Sequence, residues 1–165
     1  RKACAGQDVD EKDHGGENAL LAAARKDWRA FVLELIDMKA DVNAANQKQQ
    51  RPLHVAVERE GTAVARALLE AKADPNVQDT DPDYNPAASS RTFGDRLEHR
   101  TPLHHACGPV GDPEMAVLLI EAGAKLDIRD AEWKTALHLA IDEGSDKCID
   151  LLLQAKADVN LGNQL

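Results

Sequence analysis

The sequence predicts an all-α fold, a stack of helix-turn-helix units sharing one core, and three observations carry that prediction. Short apolar blocks recur with a period of 33 residues, each block is followed by apolar residues paired four apart, and aromatic residues make up only 3% of the 165-residue chain. A core so poor in aromatics has to be built from Leu, Ala, Val and Ile, which suits close-packed helices better than a sandwich or barrel.

The blocks are ALLAAA from Ala19, PLHVAV from Pro52, PLHHAC from Pro102 and ALHLAI from Ala136, with their leucines at Leu20, Leu53, Leu103 and Leu137. A second landmark closes each unit: Lys39 to Asn43, Lys72 to Asn76, Gly123 to Asp127 and Lys156 to Asn160. Successive landmarks end 33, 51 and 33 residues apart. Asn76 to Thr101 spans 25 residues where Asn43 to Arg51 spans 8, so an excess of 17 lies between the second and third units. One more extra residue lies between Thr101 and Met115.

The first helix of a unit is clearest in the third. Thr101 can cap it through its hydroxyl, Pro102 suits the first helical position, and Leu103 begins the buried face. Ala56, Ala106 and Ala140 are small enough for these helices to lie close together. The second helices carry Phe31-Val32 with Leu35-Ile36, Val64-Ala65 with Leu68-Leu69, Met115-Ala116 with Leu119-Ile120, and Cys148-Ile149 with Leu152-Leu153. Such stripes are amphipathic helices that no unit can bury alone, whereas stacked units share a continuous core.

The period and blocks together resemble the ankyrin repeat, whose pattern runs through G-x-T-P-L-H-x-A and closes near G-A-D-V-N. Thr101-Pro102-Leu103-His104 matches the central motif completely; Arg51-Pro52-Leu53-His54 and Thr135-Ala136-Leu137-His138 each differ at one residue, and the first unit keeps only its Leu. The resemblance implies an ankyrin-repeat solenoid of stacked helix-turn-helix units joined by hairpin loops. The chain divides into one domain over 1–165: a repeat tail at 1–10, repeats at 11–43, 44–76, 77–127 and 128–160, and a C-terminal tail at 161–165. Gly6 to Asp10 looks like the closing motif of a preceding or capping repeat, so the chain starts inside a repeat that either continues a longer array or is a degenerate cap.

In the closing motif Lys39, Lys72 and Lys156 stand where the family has glycine and only Gly123 keeps it; a left-handed helix cap disfavours Lys by up to about 1 kcal/mol. His54, His104 and His138 recur at the position where the family's histidine braces the turn, and this outweighs metal ligation. His99 and His105 lie near His104, but no Cys or carboxylate at recognisable spacing completes a zinc site. No metal and no cofactor are predicted.

The family binds partner proteins through hairpin tips and the exposed face of the first helices, both on the concave side. Carried onto this sequence, the tips give His14 and Glu17; Gln47, Lys48 and Gln50; and Ala131, Glu132 and Lys134. The helix positions give Arg25 and Lys26, Glu58 and Arg59, and Asp142 and Glu143. Mixed and positive character in the early repeats gives way to acidic character in the fourth, which favours a partner with basic groups toward the C-terminal end. Trp133 stands where the family's hairpin has glycine, either as a binding hot spot or packed against the neighbouring insertion. The insertion itself, from about Asp79 to Leu97, is rich in turn formers and carries Tyr84 and Phe93; it is expected to protrude as a hairpin loop, a mere length expansion or a second binding element.

Other classes fit less well. A net charge of −9 opposes nucleic-acid binding, and the longest apolar runs are too short to cross a bilayer. Cys4, Cys107 and Cys148 form neither a disulfide framework nor a CxxC spacing, consistent with an intracellular, cytoplasmic setting; Cys107 and Cys148 read as small buried hydrophobes. No GxGxxG, P-loop or HExxH motif is present, so the chain is expected to be a monomeric, non-catalytic interaction module or scaffold. The alternatives are the regulatory region of a larger enzyme and a self-associating structural stack.

Overall fold

The computed structural model describes residues 9–79, 99–108 and 110–162, and the described residues contain eight helices and no strand. They pair along the chain as α1 (Ala19–Arg25) with α2 (Arg29–Asp37), α3 (Pro52–Glu58) with α4 (Thr62–Glu70), α5 (Pro102–Cys107) with α6 (Pro113–Glu121), and α7 (Ala136–Asp142) with α8 (Asp146–Gln154). First helices pack on first helices in the order α1, α3, α5, α7, and second helices on second helices in the order α2, α4, α6, α8. This two-layer stack gives each unit contacts mainly with its neighbours.

The inner layer is tight because its contact residues are small. Ala23, Ala56, Ala106 and Ala140 are almost completely buried beside Leu20, Leu53 and Leu103. In the outer layer Val32, Val64, Met115 and Cys148 face inward with Leu35, Leu68, Leu119 and Leu152 one turn later. Both buried cysteines, Cys107 and Cys148, belong to this packing. The stripe is narrower at the two ends of the stack: Phe31 is 43% exposed and Leu153 is 45% exposed, although the sequence pattern pairs both with core positions. Each sits on a terminal outer helix that packs against only one other outer helix, whereas on the sandwiched helices the equivalents of Phe31, Val64 and Met115, are buried and those of Leu153, Leu69 and Ile120, are half-buried.

Three positions in every unit adopt the left-handed conformation. One closes the second helix, at Lys39, Lys72, Gly123 and Lys156 with φ of 67°, 70°, 90° and 68°. Another turns the chain between the two helices, at Asp27, Glu60, Gly111 and Gly144, and the last lies at the hairpin tip, at Gly16, Gln49, His99 and Trp133. Lysine therefore does occupy a left-handed cap three times. In the third unit the extra residue is taken up between the helices, where Gly108 leaves α5; a Cβ there would lie 2.8 Å from the His104 carbonyl oxygen.

The units are tied by a ladder of polar side chains. Asp10 accepts the Asp41 N–H, Asn43 accepts that of Asp74, Asn76 that of Lys125, and Asp127 that of Asp158, so the last residue of each closing motif holds the next. The motif histidines form a second ladder. His104 Nδ1 accepts the Thr101 N–H, which leaves Nε2–H to donate to the Lys134 carbonyl at 3.2 Å. The Thr101 hydroxyl lies 2.8 Å from that same Nδ1, so its partner is the histidine ring. His54 repeats the arrangement, donating to the carbonyls of Val77 at 2.9 Å and Arg100 at 3.3 Å. Burial pushes the pKa of both rings down to about 4, which keeps them neutral.

Candidate partner-binding surface

Each hairpin tip is built on one side chain. Asp13 Oδ1 accepts the N–H groups of Gly15 and Glu17, Asn46 Oδ1 those of Lys48 and Gln50, and Asp130 Oδ1 those of Glu132 and Lys134. The same residue donates its own N–H to the carbonyl four positions on, at 3.0, 3.0 and 2.8 Å respectively. This doubly closed turn, an Asx turn with a hairpin bond, holds the finger rigid.

Asp79 is the equivalent residue between the second and third units, and it is completely buried. Its N–H donates to the Arg100 carbonyl at 3.0 Å, and its Oδ1 accepts the Arg100 N–H at 2.7 Å. Closure is kept although the partners are 21 positions apart where other tips have 4. The interruption therefore lies wholly between Asp79 and Arg100, and Asp79 itself belongs to the framework. Tyr84 and Phe93, with the expected protruding loop, lie outside the described residues.

The predicted site residues are joined pairwise. Arg25 Nη2 lies 2.8 Å from Glu17 Oε1, Gln50 Nε2 donates to Glu58 Oε1 at 2.8 Å, and Lys134 Nζ lies 2.9 Å from Asp142 Oδ2 and 3.2 Å from Glu132 Oε2. In all three units the residue closing the tip reaches the last turn of the first helix, eight positions later. Hydrogen bonding to Asp142 raises the Lys134 pKa. Burial does not make Gln50 inert: at 8% exposure its amide still holds Glu58. The acidic character expected of Glu132 and Asp142 is partly neutralised by Lys134, and the positive charge of Arg25 by Glu17. Lys26, Lys48, Arg59 and Glu143 are exposed.

Neighbouring fingers also touch. Gln47 Nε2 donates to the His14 carbonyl at 2.8 Å, and Gln78 Nε2 donates to the carbonyls of His99 and Arg129. Trp133, at φ 62°, takes the left-handed tip place that Gly16 holds in the first unit. It is 45% exposed, with the Arg129 guanidinium 5.0 Å from its ring centre, a cation–π distance.

A family model described as ankyrin repeats (three copies) matches residues 2–79 and 85–163. The chain belongs to the ankyrin-repeat family. It is 30% identical over 154 residues to NF-kappa-B inhibitor alpha of Sus scrofa, covering 88% of this chain and 44% of that protein. It is 26% identical over 162 residues to the NF-kappa-B p105 subunit of Gallus gallus, covering 93% of this chain and 15% of the relative. Rabankyrin-5 of Homo sapiens is 26% identical over 158 residues, 90% of this chain and 12% of that protein. The chain thus spans less than half the length of each of these relatives. Ankyrin repeats are generally non-catalytic modules of protein–protein interaction, and no described helix is long and apolar enough to cross a membrane.

Proposed function

We propose that this ankyrin domain binds a protein partner across its concave side, through the hairpin tips and the exposed ends of the first helices. The observation that carries this reading is the recurrent tip-to-helix pairing of Glu17 with Arg25, Gln50 with Glu58, and Lys134 with Asp142. Each pair holds two long side chains in one geometry before a partner arrives, which lowers the entropy cost of binding. Charge left over after pairing is basic at Lys26, Lys48 and Arg59 and acidic at Glu143, so the partner offers acidic groups to the early units and basic groups to the fourth. A NF-kappa-B inhibitor among the relatives supports a binding and regulatory role, with the partner's identity open to this chain's own surface.

The test is affinity capture with the intact domain against two variants, Lys26→Glu/Arg59→Glu and Asp142→Lys/Glu143→Lys, followed by titration of the partner recovered. Each variant is expected to weaken binding at least tenfold while melting as the parent does. Undiminished affinity in both would remove the concave surface from the interface.

A further inference from the structure

The neck of the interrupted hairpin gathers a second set of groups, drawn from three separate places in the chain. Asp79 enters from the tip, His105 from α5 and Glu58 from the last turn of α3. One ligand atom from each lies within 4.8 Å of the others, and His105 Nε2 is already 3.0 Å from Asp79 Oδ2. We propose that Glu58, Asp79 and His105 form a binding site for a divalent transition-metal ion of the zinc class.

The donor set fits that chemistry. One imidazole nitrogen and two carboxylate oxygens are the ligand types of three-ligand zinc sites, with the fourth position left to water or to a partner's side chain. A tetrahedral ion with bonds of about 2.0–2.1 Å sets its ligand atoms about 3.3 Å apart. The His105–Asp79 pair meets that spacing, so the remaining closure falls to Glu58, whose flexible side chain lies at the open side of the group.

Each ligand is also oriented from behind, as bound ligands are. Asp79 Oδ1 accepts the Arg100 N–H at 2.7 Å, which turns Oδ2 toward His105. Glu58 Oε1 accepts from Gln50 at 2.8 Å, leaving its second oxygen. The buried His54 ring meets the His105 ring edge-on, at 6.1 Å and 89°. On binding, the ion takes the place between Nε2 and Oδ2, and the neutral ring keeps its single proton on Nδ1. The bound ion would link α3, α5 and the neck, joining two units at the place where the repeat is interrupted. Sequence spacing hides the group, because 26 positions separate Asp79 from His105 and Glu58 lies in the preceding unit.

The experiment is calorimetric titration of ZnCl2 into the chelator-treated 165-residue chain at pH 7.5, in two buffers of different ionisation enthalpy. The parent is expected to bind one ion with a micromolar Kd. Glu58→Gln and His105→Gln should each weaken binding at least tenfold, Gln50→Ala severalfold, and Glu121→Gln, at an exposed carboxylate on α6, not at all. Zinc should raise the Tm of the parent and leave that of Glu58→Gln unmoved. If His105→Gln does not fold, Glu58→Gln carries the test, since Glu58 is the most exposed member of the group. The site is overturned if the parent gives no saturable heat, if Glu58→Gln binds as the parent does, or if millimolar Mg2+ displaces the zinc.

Discussion

The tips at Asp79 and Asp130 have the same construction and different contents. At Asp130 four positions close the turn; at Asp79 the same two closing bonds are made to Arg100, 21 positions on. The fold therefore specifies a tip by its two ends, and what lies between them is tolerated as long as the ends meet. The second carboxylate oxygens then diverge. Asp130 Oδ2 faces the Arg100 guanidinium at 3.9 Å, whereas Asp79 Oδ2 meets His105 at 3.0 Å. Burial raises the Asp130 pKa; at Asp79 burial acts the same way, but the hydrogen bond and charge of His105 outweigh it and the pKa falls below the usual carboxylate value. One framework position thus carries two different local chemistries.

The largest break in this comparison is Asp79→Ala. It removes the acceptor for the Arg100 N–H and the partner of His105 at a fully buried site, and should cost about 3 kcal/mol in urea unfolding. Asp13→Ala removes the same tip acceptor at an exposed site and should cost about 1 kcal/mol. Equal losses would mean that tip closure alone, and not the buried His105 contact, sets the stability of the neck.

Next comes the interruption itself. Replacing residues 80–99 by a three-residue tip like Ala131-Glu132-Trp133 shortens the closed loop about fivefold, and loop-closure entropy alone then predicts a gain of about 1.5 kcal/mol. A net loss on the same denaturation curve would show that the inserted residues pack on the body of the stack.

The fold was legible because a nearest-neighbour stack forces the same residue type into the same place every 33 positions, so Leu53, Ala56 and His54 each announce themselves by recurrence. The left-handed caps at Lys39, Lys72 and Lys156 were legible for the same reason. The tip-to-helix pairs were only half legible: the repeat identified Glu17 and Arg25 as surface positions, but their chemistry changes from ion pair to amide to ion pair, and only the fold brings residues eight apart together. The place of Asp79 at the edge of the insertion was not legible, because its partner, normally four residues on, lies beyond the sequence window in which a turn is recognised. Exposure of Phe31 and Leu153 follows from position in the stack, which a residue's own apolarity does not encode.

The smallest expected effect is at Trp133, and its smallness is what makes it informative. A bulky residue at φ 62° carries about 1 kcal/mol of backbone strain that glycine would relieve. Its exposed ring recovers about 0.5–1 kcal/mol from Arg129, and glycine adds chain entropy to the unfolded state. These contributions nearly cancel, so Trp133→Gly should shift stability by less than about 0.5 kcal/mol, as befits a tip position that Gly16 fills in the first unit. A half-exposed tryptophan that adds nothing to the fold is then free to serve the surface, and partner affinity should fall tenfold or more in the same variant. A large loss of stability would instead make Trp133 part of the framework, and the tip at Asp130 would differ from the others in its packing as well as in its reach.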